Sequence, residues 1–183
     1  MSIVIDAEIL MDEFKRSDLD DLVHWFDDPE IYQRTLRIPH PYTREHGQDW
    51  IEKEIARQSQ TASPTNFAIR KTDRKLIGGF AFSNPKIENP FRSEIGYWLA
   101  KPFWGQGIMS KVVARMSDHA FSELKYDKLI ASVFEWNVGS YRVLEKNGFK
   151  LEGRLPRHFY KDGKYIDARL YGRTQDDLSL IHI

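Results

Sequence analysis

Cysteine is absent from this sequence. Without thiols the chain can form neither disulfide bonds nor thiolate metal sites, and no cysteine nucleophile is available for covalent catalysis. The six histidines are scattered, and no two of them stand at the spacing of metal ligands. The sequence therefore predicts no metal site, and any group transfer would proceed without a cysteine-bound intermediate.

Long apolar runs and an excess of one charge sign are also missing. No run approaches the roughly 20 apolar residues that cross a bilayer. The first residues, MSIVIDAEILMDEF, contain early acids rather than the apolar core of a signal peptide. Lys plus Arg and Asp plus Glu both number 27, which leaves no net charge to attract nucleic acid. We expect a cytoplasmic protein without membrane or nucleic-acid partners.

Apolar residues are plentiful enough for a core. Of the 183 residues, 41% are hydrophobic and 13% are aromatic. A chain of this length is about the size of one compact domain, and no internal repeat or low-complexity linker interrupts it. The sequence predicts a single domain over residues 1–183.

The first third of the chain predicts one strand and two helices. Ile3 to Phe14 mixes apolar and acidic residues in the approximate alternation of a strand with one wet face. Ser17 is the expected N-cap of a helix that Asp28-Pro29 ends, and Thr43 is the expected cap of a second helix.

A hairpin is predicted next. The runs Asn66 to Lys71 and Lys75 to Ser83 have strand-like composition, and Thr72-Asp73-Arg74 between them is typical of a turn. Gly78-Gly79 in the second run indicates a bulge or the close approach of another backbone. A loop from Pro85 to Pro90 leads to the following strand.

The stretch from Glu94 to Leu124 combines a strand, a glycine turn and a helix. Ile95 to Ala100 is extended in pattern, Gly105-Gln106-Gly107 follows, and apolar residues then recur at helical spacing from Ile108 onward. Glycines just before a helix let backbone N–H groups approach an anion, aided by the helix dipole. A phosphate is the expected ligand. A plain turn is the alternative, because the segment fits neither the P-loop nor the dinucleotide fingerprint.

The last third predicts a strand, a short helix and a hairpin. Lys128 to Phe134 is strand-like, and Asn137 opens a helix that Asn147-Gly148 ends. A further strand is followed by a turn at Asp162-Gly163 and a closing strand from Asp167 to Tyr171. The element order is β-α-α-β-β-β-α-β-α-β-β, which indicates an α+β fold.

Five short motifs stand in the order and spacing of one known family. They are EIGYWL, WGQGIMS, the N-x-x-S of Asn137 to Ser140, the KNGF of Lys146 to Phe149, and EGRL. Together with the element order, they make the chain resemble the GNAT superfamily of acetyl-CoA-dependent N-acetyltransferases, and within it the ribosomal-protein N-terminal acetyltransferase branch. The resemblance covers Gly78 to Arg173. It implies a mixed, mainly antiparallel twisted sheet of about seven strands with about four flanking helices.

The resemblance implies that acetyl-CoA is the cosubstrate. In the family the glycine turn and its helix hold the pyrophosphate, while exposed backbone of the central strand and a later asparagine contact the pantetheine arm. The turn departs from the family pattern at Pro102, where Gln or Arg is usual. The matching residues are Gly105, Gln106, Gly107, Ile108, Met109 and Ser110 for the pyrophosphate, with Trp104 directly before them also expected at the cofactor, and Tyr97, Trp98, Leu99, Asn137 and Ser140 for the arm and its sulfur end.

Acetyl transfer to an amine needs a base for the amine and an acid for the leaving thiolate. Glu94 is the candidate base because other family members place a catalytic glutamate there; an exposed strand-end carboxylate is the alternative. His158, expected in the loop before the last hairpin, is a second candidate or simply a solvated side chain. Leu144 occupies the place of the family's usual tyrosine acid. Ser140 is therefore the candidate proton donor, with an N-cap role as its alternative.

The expected acceptor is a primary amine. The branch suggests a protein N-terminus, and a small-molecule amine is the other acceptor considered; Arg37, His40 and Tyr42 in the proline-rich loop are candidates to border its site. A catalytically silent acyl-CoA-binding or sensing module of the same fold is the alternative function. By analogy with the branch, a monomer or a homodimer is expected.

Overall fold

The computed structural model describes residues 2–60, 64–83 and 91–180. Within these residues the chain forms eight strands and five α-helices, with short 3-10 helices at Arg16–Asp18, Lys101–Phe103 and Gln175–Leu180. The predicted loop from Pro85 to Pro90 lies outside the described residues. The strands are β1 Ile3–Val4, β2 Ile9–Asp12, β3 Asn66–Lys71, β4 Leu76–Ser83, β5 Arg92–Leu99, β6 Lys128–Phe134, β7 Lys150–Lys161 and β8 Lys164–Thr174. The helices are α1 Leu19–Phe26, α2 Pro29–Arg34, α3 Arg44–Gln60, α4 Ile108–Ser122 and α5 Val138–Lys146.

The strands form one sheet in the order β1-β2-β3-β4-β5-β6-β8-β7. β5 and β6 pair in parallel, whereas the β1–β2, β2–β3, β3–β4, β6–β8 and β7–β8 pairs are antiparallel. This confirms the mixed, mainly antiparallel α+β fold predicted from the sequence, with one strand and one α-helix more than expected among the described residues.

The chain divides into two compact units. The first contains Met1–Ala81 and Tyr97–Ile108, and the second contains Phe82–Gly96 and Met109–Ile183. The single domain expected over residues 1–183 stays a prediction.

The first unit has a core of apolar side chains from α1, α2, α3 and the strands β3 and β4. Trp98 and Trp104 are only partly buried, and both pack against this core. Two residues of the predicted cofactor site are therefore anchored by their indole rings. The buried members are Phe14, Leu22, Phe26, Ile31, Tyr42, Ile51, Ala68 and Leu76.

A buried ion cluster fixes the chain where α1 begins. Arg70 in β3 donates to both carboxylate oxygens of Asp18, at 2.6 and 2.8 Å, and also to Asp12. Asp18 additionally accepts the backbone N–H of Lys15 at 2.8 Å. Ser17 lies inside the 3-10 turn, so the prediction that it caps the helix is wrong. Asp18, and not Ser17, is the residue directly before α1, and the buried Arg70 fixes its carboxylate in place.

The predicted strand from Ile3 to Phe14 is wrong as a single element. The side chain of Asp6 accepts the N–H groups of Glu8 at 2.8 Å and Ile9 at 3.0 Å. Such a turn stabilised by an aspartate side chain reverses the chain direction. The result is the β1–β2 hairpin, in which Ile3 lies opposite Met11.

Helix α2 is absent from the sequence prediction. Asp28 and Pro29 end α1 as expected, but they also start the next helix. The Asp28 carboxylate accepts the N–H of Glu30 at 2.7 Å, and Pro29 occupies the first helical position. Thr43 caps α3 as predicted, accepting the N–H of His46 at 3.3 Å.

Helix α4 and strand β6 follow the sequence pattern closely. β6 has the predicted bounds, and α4 buries a continuous apolar face. No α-helix in the described parts of the chain is long and apolar enough to cross a membrane. The buried apolar residues of α4 are Met109, Val112, Val113, Met116, Ala120 and Phe121.

The β7–β8 hairpin turns at Asp162-Gly163 as predicted, but β7 is longer than expected and irregular. Its register with β8 shifts between Leu155 and Phe159. At this bulge Arg157 has a φ of 55°, and its N–H donates to the Asp167 carboxylate at 2.8 Å. His158 therefore lies inside β7 beside the bulge, and its predicted place in a loop is wrong.

Candidate active site

The C-terminal half of β5 lies against the glycine pair of β4. A Cβ atom on Gly78 would lie 2.7 Å from the carbonyl oxygen of Trp98, and one on Gly79 would lie 2.5 Å from the Trp98 indole nitrogen. This confirms the close backbone approach predicted for Gly78-Gly79. The Trp98 ring also contacts Phe26, with ring centroids 4.4 Å apart. The Trp98 side chain is thus packed against its neighbours, and Tyr97 beside it is half-buried.

Trp104, immediately before the glycine turn, is fixed on two sides. Its indole Nε1 donates to the carbonyl of Leu99 at 2.6 Å. The guanidinium carbon of Arg34, at the end of α2, lies 5.0 Å from the centroid of its ring. These contacts hold the Trp104 ring in place directly before the glycine turn. The motif alone does not reveal them, because α2 is not predicted and Arg34 lies far away in the sequence.

The glycine turn has the backbone expected of an anion-binding loop. Gly105 and Gly107 have φ values of 73° and 76°, and the turn is exposed. A Cβ atom at either position would meet nothing within 4 Å, so these positions favour glycine for its backbone freedom rather than for lack of space. The Gln106 side chain donates to the carbonyl of Pro102 at 2.9 Å, which closes the turn.

α4 begins directly after the turn, at Ile108, and runs for 15 residues. The first N–H groups of a helix have no partner within that helix, and the helix dipole favours negative charge beside them. Met109 is buried, and the hydroxyl of Ser110 accepts from the Asn147 side chain at 3.1 Å. The residues present therefore fit a pyrophosphate, held by backbone N–H groups rather than by charged side chains.

Glu94 is joined to the neighbouring strand. In the parallel pair of β5 and β6, Arg92 lies opposite Lys128 and Glu94 lies opposite Ile130. There the half-buried Glu94 carboxylate accepts the backbone N–H of Ser132 at 3.2 Å. The contact orients the carboxylate, and it replaces a backbone partner that Ser132 would otherwise need.

Asn137 and Ser140 meet at the start of α5. Asn137 is the N-cap, and its side-chain oxygen accepts the N–H of Ser140 at 3.4 Å. Asn137 and not Ser140 is therefore the N-cap of α5. Ser140 lies half-buried in the first turn of the helix. Leu144 is fully buried, in the place of the family's tyrosine.

The remaining catalytic candidate, His158, lies in β7. His158 is exposed, and its ring lies 4.5 Å from that of Phe159. Within residues 2–60, 64–83 and 91–180 there is no group of three or more His, Asp or Glu side chains able to hold a metal ion.

Comparison with known proteins assigns this arrangement to a class. A model of the acetyltransferase (GNAT) domain matches residues 8–150. The chain therefore belongs to the GNAT acetyltransferase family and is an acetyltransferase enzyme.

Particular relatives refine the comparison. The chain is 44% identical over 109 residues to the probable N-acetyltransferase YjcK of Bacillus subtilis (strain 168), covering 58% of this chain and 59% of the relative. It is 34% identical over 110 residues to the ribosomal-protein-serine acetyltransferase of Escherichia coli (strain K12), covering 60% of each. RimL, a ribosomal L7/L12 alpha-N-protein acetyltransferase solved in complex with coenzyme A, superimposes with a TM-score of 0.83 at 22% identity, covering 97% of this chain and 99% of that chain. That last likeness shows a shared fold.

Proposed function

We propose that this enzyme transfers an acetyl group directly from acetyl-CoA to a primary amine. The glycine turn carries the proposal, because Gly105 and Gly107 adopt positive φ just before the start of a long helix. Successive backbone N–H groups in such a turn form a concavity suited to a phosphate. The complex of RimL with coenzyme A supports this choice of ligand.

Two stretches of backbone would hold acetyl-CoA. The backbone from Gly105 to Ser110 would hold the pyrophosphate. The backbone of Tyr97, Trp98 and Leu99 would contact the pantetheine arm, and the Leu99 carbonyl, which accepts the Trp104 indole N–H, can accept a second hydrogen bond. Asn137 uses its side-chain oxygen within α5, and its NH₂ group remains suited to a pantetheine carbonyl.

The protein residues would then manage two protons. Acetyl-CoA, when bound, supplies the thioester carbon that the amine attacks. As the new C–N bond forms and the C–S bond breaks, Glu94 would accept the proton of the amine through a water molecule. The Ser140 hydroxyl would deliver a proton to the departing sulfur and regain one from solvent.

The acidity of the amine helps to choose the acceptor, because an amine that loses its proton easily needs less help from a general base such as Glu94. An α-amino group has a pKa of about 8, whereas a lysine side chain has a pKa of about 10.4. We therefore propose an α-amine as acceptor, with a protein N-terminus first and a small-molecule amine second. The similarity to the ribosomal-protein-serine acetyltransferase supports this order.

Ligand binding and turnover test the proposal separately. Acetyl-CoA at about 100 times its Kd should stabilise the protein by about 2.7 kcal/mol, which is measured as a rise in Tm. Absence of a rise at millimolar acetyl-CoA would overturn the cofactor assignment. Thiol release is then measured with peptides bearing a free N-terminus, the same peptides with a blocked N-terminus and one lysine, and small amines. Binding without turnover of any amine would instead favour the silent acyl-CoA-binding module, for which the buried Leu144 is the supporting observation.

A further inference from the structure

The end of α2 lies against the residues that precede the glycine turn. Arg34 lies over the Trp104 ring, 5.0 Å from its centroid. The same guanidinium donates to the backbone carbonyl of Glu30 at 3.0 Å and pairs with the Glu30 carboxylate at 3.1 Å. Arg34 is therefore held in place by its own helix while it contacts the indole.

A second contact connects the same two segments. The Glu30 carboxylate also pairs with Lys101 at 2.5 Å. Lys101 begins the 3-10 turn that leads to the glycines, and its carbonyl accepts the N–H of Trp104 at 3.1 Å. α2 thus contacts the residues before the glycine turn in two places. Arg34 lies over the ring of Trp104, and Glu30 pairs with Lys101.

Trp104 also contacts the backbone at the end of β5. Its indole N–H donates to Leu99, the last residue of β5, at 2.6 Å. Gly105 follows directly and has the backbone freedom of glycine. A firmly held Trp104 would thus fix the point from which the Gly105–Gly107 turn leaves the end of β5.

We propose that Arg34 is a positioning residue for acetyl-CoA. By holding the Trp104 indole against the end of β5, it places the glycine turn so that its N–H groups face the pyrophosphate. This inference rests on the proposed role of that turn in acetyl-CoA binding. It gives α2, a helix without a role in the sequence motifs, a part in cosubstrate affinity.

Calorimetric titration of acetyl-CoA into single and double variants tests the inference. Arg34→Gln should weaken acetyl-CoA binding about twofold to fivefold, the most that loss of a partly exposed cation–π contact is expected to cost. Arg34→Lys keeps the charge but loses the planar stacking, so its affinity should fall between those of the wild type and Arg34→Gln. In a Trp104→Leu background, Arg34→Gln should have no further effect, because both changes remove the same contact. At saturating acetyl-CoA kcat should stay at the wild-type value, while the KM for acetyl-CoA rises.

The matched control is Arg16→Gln, which removes one positive charge from an exposed ion pair with Glu52 elsewhere in the same unit. It should leave acetyl-CoA affinity unchanged. A lower Tm of Arg34→Gln with an unchanged Kd would overturn the inference and leave Arg34 as a structural contact only. Equal effects of Arg34→Gln in the wild-type and Trp104→Leu backgrounds would overturn the route through Trp104. Failure of the wild-type chain to bind acetyl-CoA would instead overturn the proposed function itself.

Discussion

At the scale of single residues, the role of a candidate side chain is defined more narrowly by its contacts than by its residue type. Glu94 is fixed by a backbone N–H from β6, and Trp104 is fixed by a carbonyl and a guanidinium. The partner atoms come from Ser132, 38 residues after Glu94, and from Arg34 in a helix that the sequence does not predict. Motif spacing identifies the first member of each pair, but it contains no information on the second.

The substitution Glu94→Gln tests the role of this residue as the base. The glutamine side chain retains an oxygen able to accept the N–H of Ser132, so the strand contact should survive. It cannot take a proton, and loss of a general base lowers turnover by about 10²-fold or more. We expect kcat to fall by that order while the Kd for acetyl-CoA and the Tm change little. Steady-state kinetics, calorimetry and thermal melting check the three values.

Glu45→Gln is the matched control, because Glu45 is an exposed glutamate in the first turn of α3. Its kcat should equal that of the wild type. A Glu94→Gln enzyme with wild-type kcat at every pH would remove Glu94 from the mechanism and return attention to His158 or to solvent as the base.

At the scale of elements, the shape of the glycine turn requires a backbone conformation that favours glycine. Gly107 has a φ of 76°, a region that costs an alanine about 1–2 kcal/mol. Gly107→Ala should therefore lower the Tm, and relaxation of the strained turn should weaken acetyl-CoA binding about tenfold, which corresponds to about 1.4 kcal/mol. Thermal melting and calorimetric titration of the same preparation measure both effects.

Gly163→Ala provides the comparison. Gly163 has a φ of 74° and equally open space, but it lies in the β7–β8 turn. It should lower the Tm about as much as Gly107→Ala while leaving the Kd for acetyl-CoA unchanged. If the two variants weakened binding equally, the effect would reflect general destabilisation and the assignment of the turn to the pyrophosphate would fail.

The elements also show how far the sequence predicts the fold. β3 and β6 have the predicted bounds, because short β-branched or aromatic runs lie between clear turns. The β1–β2 turn lacks glycine and proline, and only Asp6 indicates it. α2 is too short for a helical repeat to show. At the bulge in β7 the backbone N–H of Arg157 donates to the Asp167 carboxylate, a tertiary contact that no local pattern predicts. Local signals therefore recover the long elements and miss those made by single side-chain contacts.

At the scale of the whole molecule, the net charge is zero, but the pKa values of two carboxyl groups are lowered by their partners. Burial acts to raise the pKa of Asp12, but hydrogen bonds and charge from Lys15 and Arg70 outweigh it and hold the pKa below its ordinary value. In the other unit, hydrogen bonds from Lys150 and Thr174 hold the pKa of Asp177 well below its ordinary value. Each unit thus contains an aspartate that is more acidic in the folded protein than in the unfolded chain.

These two aspartates predict a loss of stability in acid. A carboxyl whose pKa is lower in the folded state stabilises the fold at pH values above its unfolded pKa, which is about 3.9 for aspartate. The contribution falls as the pH drops below that value, because the folded protein must then bind protons that the unfolded chain binds more readily. The urea midpoint should therefore be nearly constant from pH 7 to pH 5 and decline steadily below about pH 4. Asp177→Asn should lower the midpoint at pH 7, and its difference from the wild type should shrink as the pH falls. A difference that stayed constant down to pH 2, or a wild-type midpoint that rose on acidification, would contradict the ion-pair origin of this stability.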